Sequence, residues 1–169
     1  MSIVDLLINS IVSIEDFDAC RKKAVQKGVL LAEILIEESL LSRSLLIAAS
    51  ELHAQIKASE IEESTARAFL RIMKIEEAYG IESEHLLPAP DLAPMLGNLL
   101  HQAKITDRFQ IAAALLHAEE SKKKLGQSLL MLELVSPKQL AESLEIQSKV
   151  LAKEINFIEA VAELALQAR

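Results

Sequence analysis

The chain has 169 residues, enough for one ordinary domain or two small ones. Apolar residues make up 51% of it and mean hydropathy is positive, which argues against disorder and provides for a sizeable core. A formal net charge of −7 disfavours a general nucleic-acid binder, because phosphate contacts need a Lys/Arg surface.

Aromatic residues are only 3%, so the core must be aliphatic, built from Leu, Ile, Val and Ala. Leu and Ala favour helices, and Gly and Pro number only four each, so the expected class is all-α. Cys20 is alone, which rules out an internal disulfide and a Cys-based zinc site. A reducing cytoplasm fits that count. The apolar start, MSIVDLLINSIV, has no basic flank and carries Asp5, so it is not read as a signal peptide. No run approaches the 18 apolar residues of a spanning helix.

Residues 2–10 read as a short apolar helix. Ser13 then looks like an N-cap, with Asp16 three residues on, and the helix it opens runs to about Lys27 and breaks at Gly28. Residues 29–38 form the next apolar helix. Ser42 caps another, in which Leu45, Leu46, Ala49 and Leu52 share a face. A longer helix is expected over about 59–79. There Ile61, Thr65, Ala68, Ile72, Ile75 and Tyr79 keep helical spacing, with Glu62, Glu63, Arg67, Arg71 and Lys74 mostly on the other side. Gly80 and three prolines (Pro88, Pro90, Pro94) then mark 80–94 as a linker.

After the linker the pattern restarts. A short helix over about 95–103 contains Leu96-Gly97. Asp107 caps the next, with Gln110 three residues on and Ile111, Leu115 and Ala118 on one face. Leu125-Gly126 leads another short helix that ends near Glu133. Ser136 caps its successor, with Pro137 in the first turn and Gln139 completing the cap. A last helix is expected over about 150–169, with an apolar stripe of Ile155, Ile158, Ala162 and Ala165 and with Phe157, Val161 and Leu164 beside it.

The stretch 124–147, KLGQSLLMLELVSPKQLAESLEIQ, is the clearest helix-loop-helix, and it has three fainter copies. Shifted back by 29 residues, Gly126 meets Gly97, Leu129 meets Leu100, Leu134 meets Ile105, Ser136 meets Asp107, Leu140 meets Ile111 and Leu144 meets Leu115. Shifted back by 94, its residues 125–147 fall on 31–53, with Leu31, Leu35, Leu40, Ser42, Leu46 and Glu51 identical to their counterparts. A further 29 back gives 2–24, the faintest copy. The expected architecture is therefore tandem helix-loop-helix repeats in two halves. Residues 1–79 hold units 2–24 and 31–53 and the helix at about 59–79. Residues 95–169 hold units 95–118 and 124–147 and the helix at about 150–169. Such units cannot bury their apolar faces alone, so neighbours must stack.

The two C-terminal units resemble the tandem motif in the amino-terminal (MshEN-like) domain of type II secretion and type IV pilus assembly ATPases. The motif runs Arg-Leu-Gly, two free positions, two aliphatics, two free positions, Gly, two aliphatics, four free positions, Leu, three free positions, Leu, two free positions, Gln. In 124–147 the residues in pattern are Leu125, Gly126, Leu129, Leu130, Leu134, Val135, Leu140, Leu144 and Gln147, with Lys124 where the motif has Arg and Glu133 where it has Gly. In 95–118 they are Leu96, Gly97, Leu100, Ile105, Ile111 and Leu115, with Met95, His101, Lys104, Thr106 and Ala118 departing. Some domains of that family bind cyclic di-GMP. The resemblance implies that Lys124 and these in-pattern residues would line a cyclic dinucleotide site. It brings no Walker A pattern and no ATPase domain with it.

His53, His85, His101 and His117 form no His-rich ligand spacing. Glu82-x-x-His85 has one, but it lies in the Pro-rich linker and occurs once, whereas a bundle di-iron site needs two on helices. The acidic pairs, Glu119-Glu120 among them, and the basic runs Arg21-Lys22-Lys23 and Lys122-Lys123-Lys124 read as solvated faces. No Ser/His/Asp grouping has a supporting signature. The expected function is a bacterial, non-catalytic regulatory or protein-interaction module that acts with a protein partner or a second copy and needs no metal or cofactor. The alternative is a cyclic di-GMP receptor using 95–118 and 124–147.

Overall fold

Residues 108–120 include the run Ile-Ala-Ala-Ala-Leu-Leu-His-Ala, apolar on every side. A helix of that kind needs cover all round. The structure, a computed structural model, describes residues 1–79 and 95–167. In it this run is the central helix. Among the described residues there are ten helices: α1 (Ile3–Ile8), α2 (Ile14–Lys27), α3 (Leu31–Glu37), α4 (Arg43–Lys57), α5 (Glu63–Ala78), α6 (Leu96–Gln102), α7 (Arg108–Glu120), α8 (Leu125–Met131), α9 (Pro137–Leu151) and α10 (Phe157–Gln167). The protein is all-α, and no helix among the described residues is long and apolar enough to cross a membrane.

Helix α7 packs against α1, α3, α4, α6 and α8. Ala112, Ala113 and Leu116 join the core of α1–α5, whereas Ala114, on another side, joins a cluster with α6, α8 and α9. A third cluster, from Leu99, Ala103, Ile146, Phe157, Ala160 and Leu164, ties α6 and α9 to α10. The face expected from Ile111, Leu115 and Ala118 is thus only part of what α7 buries. Its alanines let neighbours approach from several directions.

Most of the described connections share one device. After α2, α3, α4, α6, α7, α8 and α9 the chain passes through a residue in the left-handed region: Gly28, Ser39, Ser59, Lys104, Lys122, Glu133 and Lys153 all have φ between 54° and 66°. At Ser39 the N–H bonds to Ile36 O (3.0 Å) and the next N–H, of Leu40, reaches Leu35 O (3.0 Å), which is a Schellman closure. The same pair of bonds recurs at Lys104–Ile105 and Glu133–Leu134. Caps open the following helices: Ser13, Ser42, Asp107 and Ser136 each accept an N–H three residues on.

The element positions coincide at the 94-residue shift. Helices α3 and α8 align end to end, as do α4 and α9, and the left-handed residues Gly28, Ser39 and Ser59 fall on Lys122, Glu133 and Lys153. The closing helix begins later than the expected 150. Val150 and Leu151 finish α9, Lys153 turns the chain, and Asn156 caps α10 by accepting the Glu159 N–H at 3.0 Å. The linker over 80–94 and the last two positions, 168–169, lie outside the described residues.

Candidate functional site

Most of the aliphatic residues singled out by the repeat assemble around α6 and α8. An added Cβ on Gly97 would lie 3.0 Å from Ile111 Cγ2 and 3.9 Å from Leu125 Cδ2. One on Gly126 would lie 3.2 Å from Leu140 Cδ1 and 3.7 Å from Leu96 Cδ2. Each glycine therefore admits the aliphatic side chain fourteen positions on, and each touches the leucine that precedes the other glycine. That reciprocity is the mark of a local two-fold between the units. Consistently, α6 packs on α9 as α8 packs on α7.

Leu96, Leu100, Ile105, Leu125, Leu129, Leu130, Leu134, Val135 and Leu140 gather with Ala114 and Leu132 in one apolar cluster. Leu115 lies against the core of the N-terminal half instead. Leu144 on α9 is exposed, and Gln147 on the same helix is half-buried. Lys124 is exposed, and its backbone N–H donates to Gln127 Oε1 at 3.2 Å at the start of α8.

A surface cleft of about 520 Å³ opens beside this cluster, lined by Leu130, Glu133, Leu134, Val135, Ser136, Pro137 and Gln139. Glu133 sits on its wall with φ 54°. The motif's glycine position is therefore a left-handed backbone position here, as is Lys104 in the preceding unit. Gln139 spends its backbone N–H and Oε1 on the Ser136 cap, and Pro137 has no N–H, so the start of α9 offers the cleft few free donors. Lys124 and Gln147 do not line it.

Two features read as solvated charge are built into the fold. Arg21 of α2 reaches Glu120 of α7 with Nε to Oε2 at 2.5 Å and Nη2 to Oε1 at 3.0 Å, so the basic run is anchored at its first residue. The neighbouring Glu119 accepts the Val4 N–H at 3.3 Å and lies 3.7 Å from His53 Nε2. Both carboxylates are largely covered. Their partners are some hundred residues away along the chain, which local pattern does not show. His53 itself is buried and donates Nε2–H to Met1 O at 3.2 Å, and burial pushes its pKa down. Glu51, lying 3.2 Å from Arg108, is also partly buried, and desolvation pushes its carboxyl up.

His117 Nδ1 lies 3.1 Å from Ser128 Oγ, and Arg108 Nε donates to His101 Nε2 at 3.1 Å. Among the described residues no three His, Cys, Asp or Glu side chains converge as a metal site would require. Glu82 and His85 lie outside the described residues.

The closing helices present the feature that periodicity did not orient. On α5 the fully buried residues are Ala66 and Leu70, and the opposite face carries Ile72 (48% exposed), Ile75 (56%) and Tyr79 (78%). On α10 the counterparts Ala160 and Leu164 are buried, while Ile158 and Leu166 are about seven-tenths exposed. The stripe expected on α5 thus largely faces outward, whereas on α10 only Ile158 and Ala162 of the expected stripe do, and Ile155, Val161 and Ala165 pack against the cluster that holds Phe157 and Leu164.

No protein-family model matches this chain, and neither does any curated protein or solved structure.

Proposed function

We propose that this chain is a non-catalytic regulatory or protein-interaction module, related to the amino-terminal domains of secretion and pilus assembly ATPases, that offers the outward apolar faces of α5 and α10 to a protein partner or a second copy. The observation that carries this reading is α5: Ile72, Ile75 and Tyr79 stand in solvent on the side opposite Ala66 and Leu70. Single exposed apolar residues are ordinary, whereas aligned ones on two helices mark a contact surface. A photo-reactive phenylalanine analogue at position 72 or 158, introduced in the cells that make the protein, tests it. A discrete adduct from either position, absent from a control at exposed Lys138, is expected. Adducts from neither position would count against the module.

A second reading is a cyclic di-GMP receptor built from 95–118 and 124–147. It is favoured by the left-handed backbone at Lys104 and Glu133, the positions of the motif's second glycine, together with Gly97 and Gly126 at its first. Glu133 works against it, since it brings a carboxylate to the cleft that an anionic ligand would approach. Lys124 supplies a point charge and not the fork of an Arg. Calorimetric titration with cyclic di-GMP decides: heat that weakens in Lys124→Ala supports the reading, and no heat at high micromolar ligand ends it.

A further inference from the structure

The basic runs at 21–23 and 122–124 are far apart in the chain and neighbours in the fold. Arg21 joins them: its Nε and Nη2 hold both carboxylate oxygens of Glu120, two residues before Lys122. Its Nη1 also takes Asp18 Oδ1 at 2.7 Å, so Asp18 and Glu120 are both engaged already. Lys23 is taken by Glu38 of α3 at 2.8 Å. Lys22, Lys122, Lys123 and Lys124 are left exposed, and among the described residues none of them is ion-paired with a carboxylate. Two exposed apolar residues lie beside them. Lys123 Nζ rests against Met131 Sδ, and Val25 stands one turn beyond Arg21.

The fold does not call for lysine at 122–124. Lys122 turns the chain at φ 54°, and the Lys123 N–H closes α7 on Ala118 O at 2.8 Å; both are backbone roles. At the 94-residue shift the same turn is made by Gly28-Val29-Leu30, with the Val29 N–H on Ala24 O at 3.1 Å. Glycine suits the left-handed position better than lysine does. What the second copy of the turn adds is therefore charge. Unpaired ammonium groups on a chain of net charge −7 select their partner by its extent. Charge is screened over about 8 Å at physiological ionic strength. A short acidic segment laid on these lysines meets mainly positive charge. A membrane or a long nucleic acid covers more surface and meets the acidic remainder.

We propose that Lys22 of α2 and Lys122, Lys123 and Lys124 after α7 form one docking patch for a short Asp/Glu-rich segment of a partner protein. The patch goes beyond the contact surface on α5 and α10 and shares no residue with it, so adducts at 72 or 158 and binding here are separate results. Fluorescence anisotropy of a labelled peptide of alternating Glu and Gly, titrated with the full chain, tests it. The same peptide with Gln for Glu is the blank. The Glu peptide binds in the micromolar range, and binding weakens several-fold as salt rises. Lys22→Glu and Lys123→Glu each weaken it about threefold, and together roughly tenfold. Lys138→Glu makes the same change in net charge at an exposed lysine of α9 and leaves binding within a factor of about two. All three sites are exposed, so the variants fold, and circular dichroism checks them. No binding of the Glu peptide, equal binding of the Gln peptide, or a Lys22→Glu as silent as Lys138→Glu overturns the inference. So does tighter binding, through the same lysines, to phosphatidylserine vesicles or to single-stranded DNA, because the partner is then another polyanion.

Discussion

Gly97 meets Ile111 so closely that an added Cβ would come within 3.0 Å of the Ile111 Cγ2 methyl. That methyl hangs on a β-branched carbon with one strongly preferred rotamer in a helix, so it cannot swing aside. Gly97→Ala gains about 1 kcal/mol of helix propensity but loses more to the clash, for a net cost of about 1 kcal/mol in denaturant titration. Gly126→Ala meets only the flexible end of Leu140, at 3.2 Å, and is expected to be neutral or slightly stabilising. Ile111→Leu, which removes the branch, should rescue Gly97→Ala. Equal costs at both glycines would contradict this account of the repeat.

The left-handed residues are a reservoir of small strain. Glu133 and Lys104 have φ of 54° and 59°, where a Cβ costs roughly 1–2 kcal/mol. Glu133→Gly and Lys104→Gly are each expected to stabilise by about 1 kcal/mol after the added chain entropy of glycine, and to act additively. Gly28→Ala, at φ 66°, has free space around it yet should destabilise by about 1 kcal/mol. Urea midpoints of these three variants, and of the Lys104→Gly/Glu133→Gly double variant, check this.

Thr106 is buried, and its Oγ1 has no hydrogen-bond partner. Its repeat counterpart is Val135. Thr106→Val keeps the shape and removes the unsatisfied hydroxyl, so a gain of about 1 kcal/mol is expected. A loss of stability on thermal or chemical unfolding would show that the hydroxyl has a partner.

His53 joins the two halves, close to Met1 O and to Glu119. Burial, the largest influence, and then the Lys57 charge depress its pKa, while Glu119 partly opposes them. In the unfolded chain the imidazole titrates near its ordinary value, about 6.5. Below that pH the unfolded state takes up a proton that the folded state resists, so stability falls as pH drops from about 6.5 until the folded pKa is passed. Replacement by Gln leaves a neutral group at both pH values. The stability difference between pH 7 and pH 5 should therefore be smaller in His53→Gln than in the parent. An unchanged difference would remove His53 from the acid response.

Much of the architecture is readable in the chain because the signals are local. Ser13, Ser42, Asp107 and Ser136 announce their helices, and Gly28 ends one. The end of α9 is less legible, since 150–169 holds no Gly or Pro. The pair Asn156…Glu159, a cap three residues before an acid, is the local sign of a new helix. In the candidate site, Gly97, Gly126 and the leucines around them are legible from the repeat. The anchoring of Glu119 and Glu120 is not, because their partners Val4, His53 and Arg21 come from the other half of the chain. Periodicity in α5 marks one stripe, Ile61 to Tyr79, and the structure instead buries Ala66 and Leu70, with Phe69 and Met73 against the core. Packing selects Ala66 and Leu70 for burial because Arg71 and Lys74 find carbonyls on the α1 side.

That orientation of α5 is the claim on which the functional reading depends, and paired unfolding measurements at low protein concentration test it most directly. Leu70 is fully buried and Ile72 is 48% exposed. Leu70→Ala is expected to cost about 2–5 kcal/mol, and Ile72→Glu to stay within about 0.5 kcal/mol of the parent. A large loss from Ile72→Glu, with Leu70→Ala nearly silent, would mean that the Ile72 face is core and that α5 faces the other way.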